Sequence, residues 1–396
     1  MREGWPEVSV GDVARVNPSD PPLPFDAPFV PMDAVDPSTR FPRYYIARDG
    51  RGGARARSGD TLFARITPCL ENGKVAQVPV DVGRCGGSTE FIVLRAGAGL
   101  DPDFLFIWAT AAAVRETAAG LMTGTSGRQR LSASDLASLP IPLPPLAEQR
   151  RIVDLVTAMD EVAGRVQRLA EATRRGAAAV VSEIADATDG PARLGDLAII
   201  RGGKRLPKGT PWAGHPTEHP YIRVVDLEQG RIRGDDLVFV PDEVWPKISR
   251  YVVSPGDVVV SIVGTIGEVA VVPPTLAGAN LTENAAFIRV TDHLDPEYLA
   301  AFLRGERGQE EIRRLTVGTT QAKLALCRIK AISVPLPALS VQQDCARLHG
   351  ALEGVAEAAE CAVRAAREAR QRLVSSLLSG SHAIPASYDR LLDGAA

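Results

Sequence analysis

Several short groupings in this 396-residue chain carry residues able to do chemistry, and each can be weighed against its surroundings. Asp20-Pro21-Pro22-Leu23 has the order of a box that grips a target amino group, but the aromatic residue that would close it is missing and no glycine-rich cofactor loop accompanies it. His215 and His219 have the spacing of a metal pair; no third ligand is near, and Gly214, Pro216 and Pro220 make the segment a loop. Pro241-Asp242-Glu243 with Lys247 offers a carboxylate-lysine set of the nuclease type, with the second carboxylate at the wrong spacing, so a surface loop is expected. No GxxxxGK loop exists for ATP, and Gly264-Thr265-Ile266-Gly267 reads as a tight turn between strands. Cys69, Cys85, Cys327, Cys345 and Cys361 are odd in number and never form a CxxC pair, which fits reduced thiols. These residues predict a chain that is not an enzyme, with no catalytic residue, no metal and no cofactor of its own.

Composition points the same way. With 45% hydrophobic and 23% charged residues the chain can bury sizeable cores, and its length predicts about two domains. It has no apolar stretch of signal-peptide or membrane-spanning length, so a cytoplasmic location is expected. The net charge of -3 argues against indiscriminate coating of nucleic acid. Charge is uneven, however: Arg40, Arg43, Arg48, Arg51, Arg55, Arg57, Arg65 and Lys74 face only Asp49, Asp60 and Glu71 over residues 40–74.

The elements that must position any functional group come as a repeat. LDPDFLFIW (100–108) returns as LDPEYLAAF (294–302), and GTS (124–126) as GTT (318–320), both at an offset of 194 (294 − 100 and 318 − 124). IPLPPLAEQ (141–149) matches VPLPALSVQ (334–342) one residue earlier, SGDTLFARI (58–66) pairs with PGDVVVSIV (255–263), and VGDVA (10–14) with LGDLA (194–198). Each copy opens with short β-type segments: FVPM (29–32), YYIA (44–47), TLFARI (61–66), VAQV (75–78) and EFIVL (90–94), then YIRVVDL (221–227), LVFV (237–240), DVVVSIV (257–263), EVAVV (268–272) and AAFIRV (285–290). A helix is expected after Asp101-Pro102 and again after Asp295-Pro296.

Each copy ends in a helical stretch of about 40 residues, which at 1.5 Å per residue spans about 60 Å. In the first, Ile152, Leu155, Met159, Val162, Val166 and Leu169 alternate steps of three and four; in the second, Cys345, Leu348, Leu352, Val355, Ala359, Ala362, Ala366, Ala369 and Leu373 do so. Such seams predict either two amphipathic helices lying on their own domains or, as the duplication favours, an antiparallel coiled coil with pseudo-two-fold symmetry. The expected fold is α+β: β-rich domains at 1–145 and 189–338, helical spacers at 146–188 and 339–380, and a tail at 381–396.

This ordered set, present twice over residues 5–380, resembles the specificity subunits of type I restriction-modification systems. LFARITPCLENGK (62–74), SIVGTIGEVAVV (261–272) and PLPPLAEQRRIV (142–153) carry the likeness further. Departures are Val341-Gln342, where the family often has Glu-Gln, and Gly127, where a glutamine is usual; Gln321-Ala322-Lys323 stands in place of Gly127-Arg128-Gln129. The resemblance implies two target-recognition domains that read the unlike halves of a double-stranded DNA site. It also implies spacers that dock two methyltransferase subunits carrying S-adenosylmethionine, and a restriction or translocase subunit using ATP and Mg in some systems, in the service of DNA methylation and phage defence.

A reader of DNA needs cations and amides on a rigid frame, for phosphates and for base edges. The residues expected to serve are Arg65, Asn72, Lys74, Thr125, Ser126, Arg128, Gln129 and Arg130 in the first copy. In the second they are Lys204, Arg205, Lys208, Arg223, Thr319, Thr320, Gln321 and Lys323. The competing expectation is a duplicated coiled-coil adaptor whose β domains bind protein, or a recognition module of another phage-defence complex.

Overall fold

The computed structural model describes residues 5–48, 50, 52–125, 127–188, 190–318 and 322–388. The chain is α+β and divides into two compact units, residues 1–166 with 361–396, and residues 167–360. No helix among the described residues is long and apolar enough to cross a membrane.

The first unit is built on an antiparallel sheet of β1 (Ala14–Val16), β2 (Thr61–Ala64), β3 (Val75–Gln77) and β4 (Phe91–Ala96), ordered β1-β4-β2-β3. The second repeats it with β5 (Ala198–Gly202), β6 (Val258–Ser261), β7 (Val269–Val271) and β8 (Ala285–Val290), ordered β5-β8-β6-β7. Both faces of each sheet are covered. Phe63, Ile92 and Leu94 join one core while Leu62, Ala64 and Val93 join another, and Val258, Val260 and Ile288 separate in the same way from Val259 and Phe287. The two-residue alternation of a strand thus feeds two cores at once, and the segments read as nearly continuous apolar runs.

A second, smaller sheet flanks each of these. It joins Ile46–Ala47, Pro28–Val30, Arg84–Gly87 and Ala54–Arg57 in the first unit, and Val238–Phe239, Pro220–Ile222 and Asn280–Leu281 in the second. Strands 54–57 and 84–87 escaped the sequence reading because ARAR and RCGG lack strand-type side chains. YIRVVDL is not one strand: buried Asp226 accepts a hydrogen bond from the Arg223 amide (2.7 Å) and closes a 3-10 turn over Val224–Asp226.

The longer helices are α1 (Pro102–Thr110), α2 (Ala112–Gly120), α3 (Leu146–Asp186), α4 (Pro296–Arg304), α5 (Glu306–Leu315) and α6 (Leu339–Leu378). The caps expected for α1 and α4 are present: Asp101 accepts from the Asp103 and Phe104 amides, Asp295 from the Tyr298 amide, each with proline in the first turn. Long helices and domains are joined by a glutamine. Gln149 Oε1 accepts from the Asp101 amide (2.7 Å) while its Nε2 donates to the Gly99 and Pro144 carbonyls. Gln342 repeats this with the Asp295 amide (2.8 Å) and the His293 and Pro337 carbonyls.

In the first unit residues 146–166 of α3 lie antiparallel to 361–378 of α6: Ile152, Val156, Val374 and Leu377 share a core, and Arg370 pairs with Asp160 at 2.6 Å. In the second, 167–186 lie antiparallel to 339–360: Val181, Ala185 and Cys345 share a core, and Arg174 pairs with Glu353 and Glu360. The buried stripe differs from the expected seam at alternate positions. Val162, Leu169, Leu348 and Val355 are 50–58% exposed, and the positions one residue later, Ala163, Ala170, His349 and Ala356, are buried or half-buried. Ile152 is buried; Leu155, Met159, Val166, Leu352 and Leu373 are half-buried. At the three alanines a small side chain lets the helices approach and becomes covered, whereas bulky ones at the stripe's margin keep half their surface in water.

Asp60 and Asp257, 1% exposed, stand before β2 and β6 and clamp each sheet. Asp60 accepts from the Arg57 amide (2.9 Å) and the Arg95 guanidinium (2.8 and 2.7 Å), which also holds Asp20. Asp257 accepts from the Ser254 amide (2.7 Å) and from Arg289 (2.8 and 2.7 Å). Replacing Arg95 by methionine strands Asp60 and should destabilise the first unit at pH 7 by about 3–5 kcal/mol. The Arg95 guanidinium holds the Asp20 carboxyl below the ordinary carboxylate range. A depressed carboxylate stabilises the fold above the range in which the unfolded carboxyl titrates, and that contribution disappears as pH falls through the lowered value. Urea melts should therefore show the gap between wild type and Arg95→Met narrowing on acidification.

Candidate nucleic-acid interface

The strand registers bring several of the candidate residues to one end of each central sheet. β1 and β2 both run antiparallel to β4, so their C-terminal ends, at Val16 and Ala64, lie beside Leu94 at its middle and Phe91 at its start. β5 and β6 end likewise at the start of β8, with Gly202 beside Ala286 and Ser261 beside Ala285. At this end the Arg65 amide donates to the Glu90 carbonyl (2.9 Å), and the Arg65 carbonyl accepts from the Leu131 amide (2.8 Å). The second unit reproduces both bonds, Ile262 to Asn284 (2.8 Å) and Leu324 to Ile262 (3.1 Å). Bridges Ile66 to Arg130 and Val263 to Lys323 complete the match.

This geometry corrects one correspondence. Lys323 occupies the place of Arg130, not of Gln129, so the single deletion in the second copy falls within the glycine loop itself. In the first unit that loop is a hairpin, Thr123–Thr125 against Arg128–Arg130. Gly124 sits at φ 137°, and a Cβ there would lie 2.7 Å from the Arg128 carbonyl oxygen. Thr125 and Arg128 are exposed at the tip, while the backbone of Gln129 exchanges hydrogen bonds with Thr67. Ser126, Thr319, Thr320 and Gln321 lie outside the described residues, as do Asp49 and Arg51.

Several candidate cations prove to be held by the protein. Lys74 Nζ donates to the Met32 carbonyl (2.9 Å), Arg223 is occupied by Asp226 and the Asp236 carbonyl, and Arg205 pairs with Glu283 at 2.8 Å. The local excess of basic residues in 40–74 is similarly spent: Arg40 on Gln77 and Asp103, Arg43 on the Asp33 carbonyl and Asp36, Arg55 on the Asp20 carbonyl, while Arg48 is buried. Arg128, Lys208 and Lys323 are exposed and have no ion-pair partner among the described residues; Lys204 is exposed and reaches the Tyr251 ring (5.9 Å). Asn72 is exposed, and Arg65 is half-buried with its Nε unpartnered among the described residues.

Glu90 was missed by the sequence reading. Its carboxylate takes three hydrogen bonds from Arg130, two from Nε (3.2 and 3.0 Å) and one from Nη2 (2.8 Å). Arg130, with Arg65 adding to its effect, holds the Glu90 carboxyl below the usual carboxylate range. The signal was the pair Ser88-Thr89-Glu90 and Thr282-Glu283-Asn284, each just ahead of the longest strand of its sheet. The groupings first weighed for chemistry have structural places: Asp20 binds Arg95, His219 stacks on Trp245 (4.4 Å between ring centres), and Gly264 and Gly267, both at positive φ, turn the chain between β6 and β7.

The family described as Type I restriction modification DNA specificity domain matches residues 59–173 and 191–348. The chain is 32% identical over 163 residues to the EcoEI type I restriction enzyme specificity subunit of Escherichia coli, covering 39% of this chain and 27% of that protein. It is 21% identical over 266 residues to the MjaVIII specificity subunit of Methanocaldococcus jannaschii, covering 61% and 62%. In each case the match spans less than two thirds of the relative's length. Its fold is similar to that of a chain from a structural study of complex assembly in the type I R-M system (TM-score 0.61, 24% identity, 96% of this chain and 98% of that one). The type I S subunit from M. genitalium is similar as well (TM-score 0.55, 14% identity, 95% and 96%). At these identities the structural likeness is one of fold.

Gly124→Ala should place about 1–3 kcal/mol of strain on the hairpin alone. Hydrogen exchange should quicken roughly ten-fold or more at the amides of residues 123–130, with the melting temperature of the chain little changed.

Proposed function

Because the chain belongs to the family of type I restriction-modification DNA specificity domains, we propose that it is the non-catalytic, sequence-reading subunit of such an enzyme and recognises a bipartite, asymmetric double-stranded DNA target. Residues 1–145 read one half-site and 189–338 the other. The helical spacers, 146–188 and 339–380, dock two methyltransferase subunits and set the unread distance between the halves. The half-exposed Val162, Leu169, Leu348 and Val355 supply apolar surface for such subunits. S-adenosylmethionine belongs to those partners, and ATP and Mg to a restriction or translocase subunit where one joins.

The observation that carries this reading is the sheet end built twice on one frame and furnished differently each time. Backbone bonds repeat between the copies residue for residue, yet Glu90 and Arg130 in one stand where Asn284 and Lys323 stand in the other. A scaffold duplicated with its surface changed is what reading two unlike half-sites requires, since phosphate contacts position a protein while base contacts distinguish sequences. The exposed cations Arg128, Lys208 and Lys323, without an ion-pair partner among the described residues, are available for phosphate; the chain's net charge of -3 leaves the rest of the clamp to its partners.

Titration of duplex DNA with the chain assembled on its methyltransferase subunits tests this. Affinity should fall steeply with salt, and Arg128→Ala and Lys323→Ala should each lower the slope of log K against log salt by about 0.9. Binding without salt dependence, or slopes unchanged in both variants, would remove this face from the interface and favour a protein-binding adaptor.

A further inference from the structure

Arginine and glutamate make an unusual pair at Arg130 and Glu90, because the pair is exposed where a sheet end meets solvent and yet is rigidly built. Arg130 is anchored by its backbone bridge to Ile66, and Glu90 by its carbonyl's bond from Arg65. Their side chains are 44% and 25% exposed. A guanidinium presents five N–H donors in a planar fork, with one edge formed by Nε and Nη2 and the other by Nη1 and Nη2. Glu90 occupies the first edge: its oxygens accept from Nε and Nη2 only. The second edge, with Nη1 and the remaining Nη2 proton, has no acceptor among the described residues.

A planar pair of donors held edge-outward matches one feature of double-stranded DNA particularly well. Guanine displays two adjacent acceptors, O6 and N7, in the major groove, and a two-pronged arginine contact satisfies both. A phosphate can accept such a fork too, but the Glu90 carboxylate bound to Arg130 offsets its charge and repels an anion, which leaves the neutral edge of guanine as the better acceptor; at Lys323 the second unit offers the point charge that a phosphate takes. There the carboxylate is replaced by Asn284, whose neutral amide cannot orient a cation by charge.

We propose that Arg130, held in orientation by Glu90, reads a guanine in the half-site recognised by the first unit. Arg130 is the base-contacting group; Glu90 is a positioning residue acting through it. The proposal rests on the DNA-reading function inferred above and adds one base and one geometry to it.

The test is selection from a duplex library randomised over both half-sites, using the full chain with its methyltransferase subunits. Wild type should enrich a bipartite motif with an invariant guanine in one half. Arg130→Ala, which removes the donor fork altogether, should relax preference at that single position by about ten-fold or more, leaving the other positions and the second half-site intact. Glu90→Gln, which preserves shape and removes the carboxylate's charge, should weaken preference at the same position. If both variants enrich the wild-type motif, or lose affinity equally for every sequence with the guanine preference retained, Arg130 is a phosphate contact or a structural residue and the inference is wrong while DNA reading stands. If wild type enriches no motif from the library, the DNA-reading function itself fails.

Discussion

The buried amide of one glutamine in each copy governs how a long helix meets its own β domain. Gln149 and Gln342 are wholly buried, and each satisfies both ends of its amide on three backbone groups drawn from the loop that caps α1 or α4 and from the turn that starts the long helix. A buried donor or acceptor left unpaired costs about 1–3 kcal/mol, so any slippage of helix against domain would strand several such groups together. Only one orientation satisfies all of them. The capping aspartates are drawn into the same joint, since the backbone amides of Asp101 and Asp295 are the donors that Gln149 and Gln342 accept.

From that joint the rest of each copy follows as a rigid series. The clamps of Asp60 with Arg95 and Asp257 with Arg289 fix the neighbouring strands, whose registers carry their C-terminal ends to a common edge. Rigidity up to that edge is what makes variation beyond it useful. On matching backbone frames, an arginine braced by a carboxylate in one copy stands where a lysine stands in the other, and Glu90 where Asn284 stands, so the two edges differ in chemistry. Many of the nearby arginines serve the frame rather than the surface, which is why a count of basic residues says little about where a nucleic acid would lie.

How much could be read beforehand depended on whether a residue's role was local or relational. The repeat, the caps at Asp101-Pro102 and Asp295-Pro296 and most of the central strands are inscribed in short-range patterns, and so was the family resemblance they carry. The helix seam was half legible: Ile152, Met159 and Val166 kept their places, but a rule that buries the bulkiest apolar residue preferred Val162 and Leu169 over Ala163 and Ala170. Arg223 and Lys74 looked like free cations because their partners, Asp226 with the Asp236 carbonyl and the Met32 carbonyl, are given only by the folded chain. Glu90 escaped for the reverse reason: a lone acid near a proposed DNA surface suggests repulsion until its bonds to Arg130 are seen.

The central claim, that this chain supplies the sequence specificity of a modification enzyme through two independent readers, is tested most directly in a host free of DNA methylation. The chain would be co-expressed with its methyltransferase subunit and the modified bases mapped across the genome. The account predicts a bipartite methylated motif that vanishes without this chain and changes in one half alone when residues 1–145 are exchanged for those of a relative. An active, assembled complex that modifies DNA with the same motif in the presence or absence of this chain, or a domain exchange that leaves both halves unaltered, would contradict it.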